Sequence, residues 1–304
     1  MRRPADVVAR PGTATLGAIR FTGRSGDPSV ASGALTTDVH LAAAGEPDAV
    51  DVWTTSRPVA VVDGGRVKYA HDGEVALFAA RLPRSDRYAA AVEGLYTELL
   101  DLTAATGYRE LFRVWQYVED VNGVNADGVE VYQDFCVGRA KAFERRGGTA
   151  AMPAATGVGA HGGGISVHLL AGREPVRHLE NPRQVPAYHY PRRYGPKSPS
   201  FARATRRGDE VHLSGTAAIV GHRTVFPGDV AGQCRESLRN IEALLGDLAG
   251  LDRIKVYVRR AEDVEEVRGS CLRAFPAAAI AFFVVDLCRP DLLVEIEGTW
   301  SPVR

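Results

Sequence analysis

The chain lacks any 18-residue apolar run, which excludes a membrane-crossing helix of ordinary length. Its first residues, MRRPADVVARPGTA, are basic but lack the apolar core of a signal peptide, so a cytoplasmic location is expected. It has no excess of either charge: Lys+Arg and Asp+Glu are both 37, so no global field favours nucleic acid or a membrane surface. Four cysteines, Cys136, Cys234, Cys271 and Cys288, stand far apart with no CxxC pair. That spacing suits reduced thiols packed as small hydrophobes better than a zinc knot or a disulfide framework. Lysine supplies only four of the basic residues, at 68, 141, 197 and 255, and the arginine and alanine richness suggests a bacterial genome of high GC content. The histidines show no H-E-x-x-H or similar metal spacing, and no G-x-S-x-G elbow accompanies the HGGG at His161–Gly164. Gly157, Gly159 and Gly162 match G-x-G-x-x-G but lead into a strand-like run rather than a helix, so a nicotinamide site is rejected and a loop approaching a ligand or neighbour is expected.

What the chain does have is YHYPRRYGPKSPSFARA, residues 188–204: three tyrosines, three arginines and three prolines. Proline fixes φ and removes a donor, so this is neither a helix interior nor a central strand. It reads as an ordered loop aiming phenols and planar guanidiniums at an anionic small molecule, since guanidinium grips carboxylate through paired hydrogen bonds.

At 304 residues the chain suggests two domains, and it repeats itself at an offset of about 140 residues. GEVALFAARLP (73–83) aligns with DEVHLSGTAAI (209–219), matching Glu74 to Glu210, Val75 to Val211 and Leu77 to Leu213. An amphipathic helix follows each strand, with Val92, Leu95, Leu99 and Leu102 on one face of the first and Leu238, Ile241, Leu244 and Leu245 on the second. Each half then reads strand, helix and closing strands: LFRVWQYVED, VEVYQDFCVGRAKAFERRG and GISVHLLAG against DRIKVYVRRAED, VEEVRGSCLRAF and AIAFFVVDLCRPDLLVEIEGTW. The order β-α-β-α-β therefore occurs twice, with a hairpin at RPVAVVDGGRVKYA before the first copy. Such alternation predicts an α+β fold of mixed sheets carrying helices on one face. The expected division is 1–180, including an appended segment of a few strands up to about residue 50, and 181–304. The arginine loop lies at the joint, a common place for a small-molecule site.

LLVEIEG (292–298) alternates, placing Glu295 and Glu297 on one strand face. By residue type that face reads as solvated. A functional role needs one carboxyl in a pocket, where desolvation keeps it protonated as a general acid. SGTA (214–217) ends a strand with a glycine able to offer backbone N–H groups, and Arg139 lies on a predicted helix, where a lone arginine reads as a surface charge.

Taken together, Tyr132-x-x-Phe135-x-x-Gly138-Arg139, PAATGVGA (153–160), the arginine loop, SGTA, IKVYVRR and the closing LLVEIEG resemble the chorismatase family, from about residue 55 to the end. The link between IEALLGDLAG and LDRIKVY is shorter than in that family, which trims a surface loop. The resemblance implies two fused units related in fold to the Rid (YjgF-type, chorismate-mutase-like) deaminases. It also implies cleavage of the enolpyruvyl ether of chorismate to pyruvate without cofactor or metal. Glu295 matches the family's acid; Arg139, Tyr188, Tyr194 and Arg203 match groups that hold the carboxylates and ring. Gly215, Thr216, Ala217 and Cys288 match the ring pocket. Cys288 resembles members that make 3-hydroxybenzoate, and Ala217 resembles hydrolytic members that make a dihydroxycyclohexadiene carboxylate; 3-hydroxybenzoate is expected. A Rid-type 2-imino acid deaminase is disfavoured because Phe275-Pro276-Ala277-Ala278 lacks the arginine of the F-P-x-R pattern, and a non-catalytic binding module would not need Glu295. A monomer and a homotrimer both fit the internal repeat.

Overall fold

The computed structural model describes residues 13–31, 33–45, 49–147 and 152–302. Most of the appended segment falls within them and forms its own four-stranded sheet, β1 (Ala14–Thr22), β2 (Ser29–Ala31), β3 (Ala34–His40) and β4 (Ala49–Thr55), in the order β2-β3-β1-β4. Residues 1–12 lie outside the described residues.

The repeat is realised strand for strand. In the first unit β5 (Ala60–Gly64), β6 (Val67–His71), β7 (Val75–Leu82), β8 (Glu110–Glu119), β9 (Ala154–Ala160) and β10 (Ile165–Gly172) form a sheet in the order β5-β6-β7-β10-β8-β9. In the second, β11 (Arg177–Leu179), β12 (Ala204–Arg207), β13 (Glu210–Ala217), β16 (Leu251–Val258), β17 (Ala279–Val284) and β18 (Val294–Trp300) give β11-β12-β13-β18-β16-β17. A small hairpin, β14 (Ile219–Val220) with β15 (Arg223–Thr224), is added in the second unit. Each sheet is mixed, because the helix between its last crossover strands makes β8∥β9 and β16∥β17 parallel while the closing strand runs antiparallel. The second copy also opens on a hairpin-like pair, β11–β12, which has no turn signature because residues 180–203 are inserted into it where the first copy needs only Gly65–Arg66. The second sheet thus begins at Arg177, just ahead of the expected division at 180/181.

Helices α1 (Ala89–Ala105) and α2 (Val131–Glu144) cover one face of the first sheet, and α3 (Val230–Leu245) and α4 (Val264–Ala274) cover one face of the second. Val92, Leu95 and Leu99 bury the expected stripe of α1. Gly138 lets α2 cross it closely: a Cβ there would lie 2.2 Å from the Ala89 carbonyl. Helix α3 starts on Asp229, whose side chain accepts from the Gly232 N–H, and stops at Gly246 with φ of 90°. Its buried face is not the purely apolar stripe of the sequence pattern. Ile241 is buried, but so are Gln233, Glu236, Ser237 and Asn240. Two of these polar groups tie the helix to the segments above the second sheet. Asn240 donates to the Ala217 and Ile219 carbonyls, and Gln233 donates to Asp291 O and accepts from Leu293 N–H. The opposite faces of all three sheets meet in a shared core that includes Phe21, Leu77, Trp115, Tyr117, Tyr257 and Phe283. Among the described residues no helix is long and apolar enough to cross a membrane.

Candidate active site

Edge strand β9 of the first sheet docks on β12 and β13 of the second. Ala154 N–H donates to Thr205 Oγ1 at 2.8 Å and Ala155 N–H to Ser214 Oγ at 2.9 Å. Glycine keeps β9 thin enough for this: Gly157 lines the cavity described next, and a Cβ on Gly159 would lie 2.9 Å from the Asp286 carbonyl. The G-x-G-x-x-G stretch is thus mostly strand, not the loop that was expected, although the close approach to neighbours holds.

Above this seam lies a cavity of about 410 Å³, within the usual range for small-molecule sites. Its walls come from α2, β8 and β9 of the first unit, the 180–203 insertion, β13, the 287–292 loop and β18. Four arginines line it, Arg139, Arg193, Arg203 and Arg289, with the phenols of Tyr132, Tyr190 and Tyr194. That surplus of fixed cations suits a ligand carrying more than one negative charge.

Arg139 is 3 % exposed, not the surface charge suggested by residue type. Its Nη1 donates to the Ser200 carbonyl, and its carbon lies over the Tyr96 and Phe143 rings, while Nε and Nη2 have no hydrogen-bond partner. A buried N–H without an acceptor costs free energy, and the residue that bears these two donors lines the cavity. Gln116, on β8 with Arg113, is similarly buried and lines the cavity with Nε2 unpartnered. Arg203 is held by Val185 O at 2.8 Å and Tyr190 Oη at 2.7 Å. Its neighbour Glu180, 4.0 Å from Nε, is pushed up to about 7 by burial against the opposing pull of Arg203, which leaves much of the arginine's charge for a ligand near neutral pH.

Glu295 and Glu297 share a face of β18, as alternation requires, but that face is buried rather than solvated. The second sheet's strands meet the first unit there, which no local pattern reports. Burial, reinforced by the anionic Glu297, pushes the Glu295 carboxyl up to about 8, against the opposing effect of Arg113 and Arg203. Glu297 is held below the usual carboxylate range despite its burial, because Lys255 and Arg113 surround it. Arg113 Nη2 donates to it at 2.6 Å, Trp115 Nε1 at 2.8 Å, and Lys255 Nζ lies at 2.9 Å. Lys255 is paired in turn with Asp51 of β4, tying the appended sheet to the centre. Arg113 also donates to Thr156 Oγ1, which accepts from the Gly215 N–H. At Gly215 a Cβ would lie 1.9 Å from Glu295 Oε1, so any side chain there would push the carboxyl out of its present seat.

Of the residues singled out in the sequence, Glu295, Arg139, Tyr194, Arg203, Gly215, Ala217 and Cys288 line the cavity. Tyr188 and Thr216 do not. Tyr188 packs against the helix-side core of the first unit beside Glu180; the turn that follows brings Tyr190 to the wall instead. Thr216 points to the other face of β13 from its neighbours, its Oγ1 donating to Ser214 O. Cys288 is half-buried in the wall, and burial together with Glu295 pushes its thiol well up, so it is a neutral contact rather than a nucleophile. Residue reasoning missed Gln116 and Arg289, while Tyr132 entered only within a family motif and Tyr190 and Arg193 only within the arginine loop as a whole. Polar residues inside a predicted buried strand, Arg113 and Gln116, were the available signal for Gln116, and the Arg-Pro-Asp turn beside Cys288 was the signal for Arg289.

A family model described as chorismatase FkbO/Hyg5-like, N-terminal, matches residues 51–171. The chain is 43 % identical over 318 residues to a 3-hydroxybenzoate synthase of Streptomyces hygroscopicus, covering 97 % of this chain and 94 % of that one. It is 44 % identical over 303 residues to a protein named chorismatase from the same species, covering 93 % and 88 %. A solved crystal structure of a chorismatase, 41 % identical, superposes with a TM-score of 0.93 over 99 % of this chain and 96 % of that one.

Proposed function

The chain belongs to the chorismatase family, and from that membership we propose that it cleaves the enolpyruvyl ether of chorismate, releasing pyruvate and 3-hydroxybenzoate. The observation that carries the reading is Glu295, a carboxyl raised to about 8 inside an arginine-walled cavity. At neutral pH it is a proton donor, in reach of a substrate whose two carboxylates the guanidiniums balance.

In this reading Glu295 gives its proton to the terminal methylene of the enol ether, which becomes the methyl group of pyruvate. The π electrons form that C–H bond, and the positive charge appears as an oxocarbenium ion beside the newly ionised Glu295 carboxylate, which stabilises it. Arg139 and Arg203, the latter steadied by Tyr190, hold the substrate carboxylates, with Tyr194 against the ring; Gln116 supplies a further donor. If the neighbouring ring hydroxyl adds to the cation and its proton returns to Glu295, a cyclic ketal forms. Loss of the ring proton from the ether-bearing carbon then breaks the hydroxyl-derived ring C–O bond and aromatises the ring. The remaining hemiketal alkoxide collapses to pyruvate and 3-hydroxybenzoate, whose phenolate takes up that proton, so no water is consumed overall. If water captures the cation, the hemiketal collapses to pyruvate and a dihydroxycyclohexadiene carboxylate, and the proton from water restores Glu295. Neither route changes the net oxidation state, so the chemistry asks for no redox cofactor.

Cys288, whose sulfur faces the cavity near Glu295, favours the aromatic product; the methyl of Ala217, paired in register with Glu295, is the one feature that favours hydrolysis. We divide the chain functionally near residue 180, the second part supplying the acid. The test is incubation of purified protein with chorismate, pyruvate assay, and chromatography of the ring product against authentic standards. No pyruvate overturns the reading; a diene-diol as main product overturns the choice of product.

A further inference from the structure

The strand IKVYVRR ends in an arginine that the site chemistry leaves unused. Arg259 follows β16 directly and is buried along most of its length, behind the cavity rather than in it. Its guanidinium meets five acceptors. Nε donates to Leu292 O at 2.7 Å, Nη1 to the Asp286 carboxylate, and Nη2 is shared among Arg289 O at 2.8 Å, Asn122 Oδ1 at 3.1 Å and Leu287 O at 3.2 Å. Three of these are main-chain carbonyls of the 287–292 loop. The same loop presents Cys288, Arg289 and Leu292 to the cavity on its other side.

This loop joins β17 to β18 and has no ladder of its own across residues 288–292. Besides Arg259 it is tied by Gln233 to Asp291 O and by the Arg289 side chain to His222 O at 3.0 Å. Arg289 in turn lies 4.0 Å from the Tyr194 ring centre and 5.0 Å from that of Tyr190. A turn that aims side chains inward must leave carbonyls pointing outward, and buried carbonyls need donors. A planar fork with five N–H groups can gather several diverging carbonyls at once; an ammonium on a flexible stem cannot hold the same set in fixed directions.

We propose that Arg259 is a positioning residue that fixes the 287–292 loop, and through it the placement of Cys288 and Arg289 against the substrate ring, so that it governs how the cationic intermediate divides between aromatic and hydrolysed product. The inference rests on the proposed chorismatase activity. Cys288 and Arg289 line the cavity that takes the substrate in that reading, while Arg259 acts only through them.

The experiment compares wild type with Arg259→Lys and Asp286→Asn. It measures pyruvate kinetics, the ratio of the two ring products, and amide hydrogen exchange over residues 286–293. Loss of one charge-assisted contact set corresponds to about a tenfold rise in KM. A displacement of about 1 Å in a positioned step costs up to ~10²-fold, so the minor product's share should change by about tenfold in Arg259→Lys, with faster exchange in 286–293. The product ratio is internal to each turnover, so a variant that merely lowers the folded fraction leaves it unchanged. Asp286 is half-exposed on the far side of Arg259, and its substitution should move the ratio in the same direction by less. An unchanged ratio in Arg259→Lys overturns the proposal; if that variant does not fold, an unchanged ratio in Asp286→Asn does so. Wild type that yields no pyruvate from chorismate sinks the functional reading instead. The exchange rates then decide the clamp alone: slow exchange preserved in the lysine variant overturns it.

Discussion

Glu295 and Glu297 stand two residues apart on one buried face of β18 and are driven to opposite protonation states. The cause is what each one touches. Glu297 has two cations and an indole N–H, whereas Glu295 has a cavity, a glycine and the negative charge of Glu297 itself. One strand thus carries a fixed anion and a proton donor, and the first helps to keep the second protonated.

The first prediction is the pH profile. A raised carboxyl is protonated below its pKa, so activity that needs Glu295 as an acid is present below about pH 8 and lost as pH rises through it. Above that point log kcat/KM should fall with a slope of about −1 per pH unit, the behaviour of a single essential acid. Steady-state rates from pH 6 to 9.5 check this; a flat profile would remove Glu295 from the acid role.

Glu295→Gln keeps the shape and removes the donor. kcat should fall by roughly 10²–10⁴-fold, the usual scale for general acid catalysis, with the fold retained. Pyruvate release at near wild-type rate would show that the proton comes from elsewhere.

Glu297→Gln is where the structure changes the expectation. Read as a solvated neighbour, it should be mild. Buried between Arg113 and Lys255, its loss leaves Arg113 without a carboxylate partner and Lys255 with Asp51 alone, and an uncompensated buried charge costs about 3–5 kcal/mol in comparable sites. Thermal unfolding should report a clear drop. The folded fraction should also show its alkaline limb moved to lower pH, because the anion that helps to raise Glu295 is gone. A limb left in place would separate the two carboxyls electrostatically.

Gly215→Ala tests a steric claim. The new methyl would collide with Glu295 Oε1 and must displace the acid. Overpacking of this kind costs about 1–3 kcal/mol of stability, while the rate should fall nearly as far as in Glu295→Gln. An active, well-folded alanine variant would mean that the carboxyl has another seat.

Arg139→Ala removes a buried guanidinium whose Nε and Nη2 have no hydrogen-bond partner. A hydrogen bond to a charged group contributes about 1.5–3 kcal/mol, so kcat/KM should drop by roughly one to two orders of magnitude. Arg139→Lys should recover only part of it, since an ammonium lacks the planar fork. Arg203→Ala should behave alike. Full activity in both alanine variants would place the substrate carboxylates elsewhere.

Much of the architecture was legible in the chain. The aligned pair GEVALFAARLP and DEVHLSGTAAI are β7 and β13, equivalent strands in sheets of identical order, because periodicity and turn residues are local signals that survive into the fold. The insertion into the β11–β12 pair was legible only as a loop; its interruption of a hairpin was not, since pairing across 24 intervening positions leaves no pattern in either strand. Thr216 was named with Gly215 and Ala217 as one motif, though strand alternation sends it to the opposite face. The family motif points to Tyr188, yet Tyr190 lines the cavity, because a proline-rich turn fixes which phenol points inward only once its ends are docked.

The sequence by itself determined the repeat, the helices and strands, the alternation that puts Glu295 beside Glu297, and the family motifs that single out the first. Tertiary structure decided what those carboxyls and arginines are. Ionisation depends on desolvation and on charges a few ångströms away, and here those charges come from other strands: Arg113 is 184 positions from Glu297 in the chain and 2.6 Å from it in space. Whether Arg139 is a surface charge or a buried donor, and whether Glu295 is a solvated anion or a proton donor, is settled only when the two units and the appended sheet close around them, because burial is a property of the assembled fold and not of any segment.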